Sequence, residues 1–174
     1  MTKPSVPIQL PTRVKYLPPV KLASIRGTGL YARSSEIAWS GMFHWLESRG
    51  HMLRTGRGYG LMHDDPQTTL MDRMRYDACV RVPETWQACD EWFVKIITFK
   101  GGGYAVQRHV GPYSEVGRIV STVRSHQLPL DGVFLDPNRP VLCIYHSNPR
   151  TVAPKLQTAD VCLPIAPERR LERE

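Results

Sequence analysis

Three short segments of this 174-residue chain recur in the same order, and that recurrence limits the possible folds more than any single motif does. Thr28-Gly29-Leu30-Tyr31 is matched by Val110-Gly111-Pro112-Tyr113, and His63-Asp64-Asp65-Pro66 by His146-Ser147-Asn148-Pro149. Ala78-Cys79-Val80-Arg81-Val82-Pro83 is matched by Ala159-Asp160-Val161-Cys162-Leu163-Pro164. The offsets are 82 (111 − 29), 83 (146 − 63) and 81 (164 − 83) residues. Spacing this constant marks an internal duplication. The chain therefore reads as α+β, a pseudo-twofold duplication of a β-α-β-β unit within a single domain, 13–166. Repeat one covers about 13–83 and repeat two about 91–166. A proline-rich arm, 1–12, precedes them, and a charged tail, 167–174, follows.

Local patterning fills in the unit. Val20–Arg26, Gly58–His63 and Tyr76–Val82 read as strands, the last with Ala78, Val80 and Val82 alternating against Asp77, Cys79 and Arg81. Ser34-Ser35-Glu36 reads as a helix start, a hydroxyl cap followed by an acid, with Ile37, Gly41 and Trp45 in one apolar row. Gly50 is placed to close that helix as its C′ residue. In the second half Glu91–Phe99 and Tyr104–His109 read as strands about a glycine turn, and Ser114 as the cap of a second helix. That helix carries Val116, Ile119, Val120 and Val123 on one face and stops at Pro129. Val141–Tyr145 and Ala159–Pro164 supply the last two strands.

The duplication also decides what His63-Asp64-Asp65 is for. In the copy Asp64 becomes Ser147 and Asp65 becomes Asn148. Aspartate and asparagine share the ability to close an Asx turn, but a neutral amide is a poor ligand for a hard cation. The segment is a turn. No cofactor is implied either, because Lys100-Gly101-Gly102-Gly103 lacks the spacing and following helix of a phosphate loop. The four cysteines, Cys79, Cys89, Cys143 and Cys162, form no CxxC pair, which leaves a zinc site without support. They read as small buried hydrophobes in a reducing compartment.

The formal net charge is +7, yet the basic residues are spread along the chain, so no direct nucleic-acid contact is expected. No apolar run approaches the roughly 20 residues of a membrane span, and the N-terminus has no continuous apolar core of a signal peptide. A cytoplasmic protein with no membrane contact is the expectation.

The segments Gly29-Leu30-Tyr31, 58–83, 101–113 and 144–164 together resemble the GyrI-like small-molecule-binding family, which also supplies the effector-binding domain of AraC-type and MerR-type regulators. The resemblance implies an antiparallel concave sheet with two main helices and a central ligand cleft between the halves. It implies a small hydrophobic or aromatic ligand, multidrug binding and a link to transcription regulation. Because residues 1–12 are too few for a helix-turn-helix, a stand-alone binding module is expected. Two other readings come with the family: inhibition of DNA gyrase, with gyrase as partner, and hydrolysis of reactive electrophilic compounds. Catalysis is the weaker expectation.

Many members place a glutamate on the cleft floor, two residues before a tyrosine. Here Cys143 stands at that position, two residues before Tyr145, which removes the charge that would attract lipophilic cations. Cys143, Tyr145, Tyr31, Trp39, Tyr59, Tyr104 and Tyr113 are the expected ligand-binding residues. Cys143 would be a nucleophile only if a histidine such as His109 lay beside it.

Overall fold

The computed structural model describes residues 12–50, 56–88, 90–124 and 133–167. The arm up to residue 11, Cys89, Pro129 and the tail beyond 167 lie outside the described residues. The strands are β1 (Arg13–Leu17), β2 (Val20–Thr28), β3 (Gly58–Met62), β4 (Arg75–Arg81), β5 (Lys95–Phe99), β6 (Gly102–Val110), β7 (Val133–Leu135), β8 (Val141–Tyr145) and β9 (Thr158–Pro167). The helices are α1 (Tyr31–Ser48) and α2 (Val116–Thr122). All pairings are antiparallel, in the order β1-β6-β9-β8-β3-β4-β2-β5, with β7 pairing the end of β9.

Two short links force this sheet to curl. Pro18-Pro19 joins β1, at one edge, to β2, next to the other edge; Lys100-Gly101 joins β5 to β6 in the same sense. Three Cα steps of 3.8 Å reach no further than about 11 Å, so the two ends of the sheet must meet. Gly101, at φ +71°, is where they touch: a Cβ there would lie 2.2 Å from the Leu17 carbonyl oxygen. Arg139 holds the seam, donating to the Gly101 and Gly103 carbonyls and to Asp136 while its guanidinium lies 5.0 Å over the Tyr104 ring. The curl encloses one cluster, in which Leu22, Leu61, Cys79, Phe99, Tyr104 and Leu142 pack together. Both helices lie on the opposite, outer face, where Ala78, Val80, Cys143, Val161 and Leu163 meet α1 and α2.

The helix start differs from the sequence expectation. α1 begins at Tyr31, two residues after Gly29 at φ +116°, and no side chain caps it. Ser34 is fully buried instead, because a Cβ on Gly27 would stand 2.2 Å from the Ser34 carbonyl oxygen and only small residues fit that crossing. The buried row is therefore Ser34, Ala38, Met42 and Trp45, and Ile37 is 56% exposed. Gly50, at φ +65°, does follow the helix end, donating its N–H to the Glu47 carbonyl.

Ser114 makes no cap either: Tyr113–Glu115 is a turn of 3-10 helix leading into α2, where Val116 and Val120, with Val123 just past its end, are buried as the spacing predicts and Ile119 is half-buried. The strand expected from Glu91 is confined to β5, whose ladder with β2 ends at the Ser24–Lys95 pair. Trp92 lies beyond that point, 90% exposed. β7 has no counterpart in the sequence reading, its three residues being too short to show a period. Among the described residues no helix is long and apolar enough to cross a membrane.

Candidate functional site

The matched turns build the ends of the site. Gln67 N–H donates to the Asp65 carboxylate at 2.9 Å, and Arg150 N–H donates to the Asn148 amide oxygen at 2.9 Å, so both segments are Asx turns. Each turn holds a tyrosine from the start of a helix. The Tyr31 hydroxyl donates to the Asp64 carbonyl at 2.6 Å and accepts the Asp64 N–H at 2.9 Å. The Tyr113 hydroxyl donates to the Ser147 carbonyl at 2.8 Å and accepts the Ser147 N–H at 3.0 Å. Burial pushes the Tyr31 phenol up to about 12, so it stays protonated and serves as a fixed strut. Among the described residues no group of histidine, cysteine and carboxylates is arranged to hold a metal.

Behind each turn sits an ion cluster. Arg26 and His63 both bond Asp77, at 2.7 Å each, and Arg108 and His146 both bond Asp160. Burial would raise the Asp77 carboxyl, but the Arg26 and His63 hydrogen bonds outweigh it and hold Asp77 at about 2. These groups anchor the strand ends and do not open into the cavity.

Between α1, the 113–117 segment and the outer face of β3, β4 and β8 lies a cavity of about 590 Å³. That is within the range of small-molecule pockets. Two glycines of β3 make it possible. A Cβ at Gly58 would come within 2.6 Å of the Trp39 ring, and one at Gly60 within 2.3 Å of the Tyr76 hydroxyl. With both absent, Trp39 and Tyr76 lie down against the strand. Trp39 Nε1–H donates to the Tyr76 hydroxyl at 2.8 Å, and that hydroxyl shares a 3.1 Å bond with the hydroxyl of Tyr145. Tyr145 packs tilted against Tyr113 at 4.7 Å and meets Trp39 edge-on at 5.7 Å. The result is a preformed aromatic chamber.

The floor carries no charge. Burial pushes up the phenols of Tyr76 and Tyr145, and it raises the Cys143 thiol to about 12, the Tyr145 hydroxyl only partly offsetting this. A thiol held so high is no nucleophile at neutral pH. His109 does not lie there to activate it, since its Nε2 is 3.0 Å from the Pro112 carbonyl oxygen. Of the described residues lining the cavity, the charged ones are Glu36, from α1, and Arg57.

Of the seven residues expected at the cleft, the cavity brings together Tyr31, Trp39, Tyr113 and Tyr145. Cys143 lies beneath them, fully buried on the same face as Tyr145. Tyr104 and Tyr59 are corrections. Tyr104 packs at 5.8 Å on Phe99 inside the curl, while Tyr59, on the strand face opposite Gly58 and Gly60, is half-buried against the same cluster and lines a second cavity, not this one. Tyr76 and Phe43 line the cavity and were not anticipated, nor was Glu36. Gly58-Tyr59-Gly60 was the available signal: two glycines at alternate positions of a strand announce a crowded face.

An α+β chain with a curled antiparallel sheet and an aromatic chamber on its outer face defines a small-molecule-binding domain. The chain belongs to the GyrI-like small molecule binding domain family, whose pattern matches residues 10–166. It is 32% identical over 108 residues to the probable transcriptional regulator YgiV of Escherichia coli K12, covering 62% of this chain and 66% of that one, a little under two thirds. Among solved structures it resembles EcmrR in its DNA complex (TM-score 0.68, 12% identity, 91% of this chain and 58% of that one). It also resembles SAV2435 bound to tetraphenylphosphonium (TM-score 0.59, 14% identity, 90% of this chain and 94% of that one). These two likenesses are of fold.

Proposed function

We propose that this protein binds a small, largely apolar aromatic compound in the chamber between α1 and the 113–117 segment, and so acts as an effector-sensing or sequestering module. The observation that carries this is the ring-lined cavity of about 590 Å³ whose walls are held in place by their own hydrogen bonds. Preorganised walls spare a ligand the cost of ordering them. YgiV is a probable transcriptional regulator, and SAV2435 takes an aromatic ligand; both are consistent with an effector role here. Because Cys143 and its neighbours leave the floor neutral, uncharged aromatic compounds are preferred over lipophilic cations. Tyr31, Trp39, Tyr113 and Tyr145 contact the ligand, and Cys143 sets the polarity beneath it.

The duplication belongs to the same proposal. The paired tyrosine struts, Asx turns and Arg-Asp-His clusters support two copies of one unit. So does the central ladder, where Gly60 pairs with Cys143, its own counterpart at the offset of 83. The copies have diverged where the ligand sits: the glycine opens the floor and the cysteine seals it.

The test is a thermal-shift and calorimetric comparison of triphenylphosphine oxide, a neutral compound, with tetraphenylphosphonium. A ligand at a hundred times its Kd stabilises by about 2.7 kcal/mol. Stabilisation by the neutral compound that disappears in Trp39→Ala and Tyr145→Ala supports the reading. Failure of every aromatic compound to stabilise the wild-type protein contradicts it.

A further inference from the structure

A second cavity, of about 690 Å³, lies beside the first and shares Leu46, Gly56, Arg57 and Val80 with it. Its chemistry differs. Trp45, Trp86 and Tyr59 give it aromatic walls, and Arg57, Arg81 and Glu84 line its rim. Trp86 is held edge-on to Trp45 at 6.5 Å by a turn closed with the Trp86 N–H on the Pro83 carbonyl.

Among the described residues this positive charge is not taken up by ion pairs. Arg49 pairs with Glu91, Arg75 with Asp64 and Arg124 with Asp65, but neither Arg57 nor Arg81 has an ion-pair partner among the described residues. Two arginines against one glutamate leave the rim net positive. Trp45, 2% exposed, also has an indole N–H without an acceptor among the described residues. A buried donor left unmade is a standing cost that an acceptor would relieve. The second cavity thus presents guanidinium donors at its rim, whereas the floor of the first is a chain in which the Trp39 indole and the Tyr76 and Tyr145 hydroxyls are already bonded to each other.

We propose that the two cavities form one bipartite site for an elongated aromatic acid: the rings enter the first cavity, and a carboxylate carried on a short chain reaches Arg57 and Arg81 in the second. This rests on the aromatic-binding reading of the first cavity and adds the charge and shape of the ligand. Arginine suits the role because its planar fork binds a carboxylate through two parallel hydrogen bonds. The shared wall of Leu46 and Val80 offers apolar contact to the connecting chain.

The experiment compares 6-(naphthalen-2-yl)hexanoate with its primary amide by calorimetry, on the wild-type protein and on Arg57→Gln and Arg81→Gln. Both arginines are exposed, so these variants are expected to fold normally. In the wild type the carboxylate binds at least tenfold tighter than the amide. Each substitution removes most of that advantage, Arg81→Gln leaves amide binding unchanged because Arg81 lines only the second cavity, and added salt reduces the advantage. Equal affinity of acid and amide in the wild type overturns the bipartite site while leaving the aromatic reading of the first cavity standing. Absence of binding by both compounds overturns the two together. A carboxylate advantage that survives in Arg57→Gln and Arg81→Gln places the anion elsewhere and also overturns the proposal.

Discussion

Gly60 faces Cys143 across the β3–β8 ladder, and the space its missing side chain leaves is taken by the Tyr76 hydroxyl. A methyl group at that position would lie 2.3 Å from the Tyr76 hydroxyl and 3.1 Å from the Tyr145 ring. The pair lies at the middle of the sheet and under the middle of the chamber. The width of the cavity is therefore set by a residue that contributes no atom to its walls.

Gly60→Ala should displace Tyr76 and Tyr145 together, since their hydroxyls are bonded at 3.1 Å. Overpacking of this kind costs about 1–3 kcal/mol. The thermal midpoint should fall by several degrees and affinity for a neutral aromatic ligand by at least tenfold. An unchanged affinity would show that the two rings do not shape the binding space.

Cys143→Glu should lower stability at neutral pH, because a carboxylate there would meet hydroxyls but no cation in a fully buried place. Tetraphenylphosphonium should restore part of the loss, and it should stabilise this variant more than it stabilises the wild-type protein. Thermal midpoints measured with and without the cation check both statements. A variant indifferent to the cation would mean that position 143 does not communicate with the cavity.

Tyr31→Phe and Tyr113→Phe each strip a turn of the hydroxyl that both donates to its carbonyl and accepts its N–H. Leaving such groups unpaired costs about 1–3 kcal/mol. Tyr113→Phe should be the more damaging, because that hydroxyl also lies 3.0 Å from the Thr158 carbonyl oxygen. Chemical denaturation of the two variants gives the comparison directly.

Acid should loosen the strand ends before neutral-range pH changes do. Asp77 sits at about 2, below its ordinary 3.8, so its ion cluster contributes fully above about pH 4 and is lost as the pH falls towards 2. Asp160 is lowered in the same sense, burial being outweighed by the Arg108 and His146 bonds. The stability of the wild-type protein should therefore drop between about pH 4 and 2, and Asp77→Asn should flatten that drop. A profile equally steep in the variant would assign acid lability to other carboxylates.

Much of the fold was legible from the alternation of its strands, and the matched segments fall on two turns that make similar contacts. Tyr31 and Tyr113, which follow matching glycines, both became struts at the cavity ends. Alternation also separated the faces of β4 and β8 correctly, but it could not say which face a ligand would see. Tyr104 and Tyr59 lie off the first cavity for that reason: the curl that encloses Tyr104 and puts Tyr59 on the other strand face is imposed by two links between strands distant in the sheet, not by any local pattern. Ser34 failed differently. Its hydroxyl is what a cap requires, yet its small size against Gly27 is what the fold uses. Tyr76 was read only as part of a strand, and its role emerges once Gly60 is seen opposite Cys143.

In the proposed mode of binding an aromatic ligand enters the outer-face chamber and rests on its neutral floor. A crystal structure with triphenylphosphine oxide tests it most directly. The phenyl rings should pack against Trp39, Tyr113 and Tyr145, with the Trp39–Tyr76–Tyr145 hydrogen-bond chain intact. A compound bound only elsewhere, with this chamber empty, would contradict it.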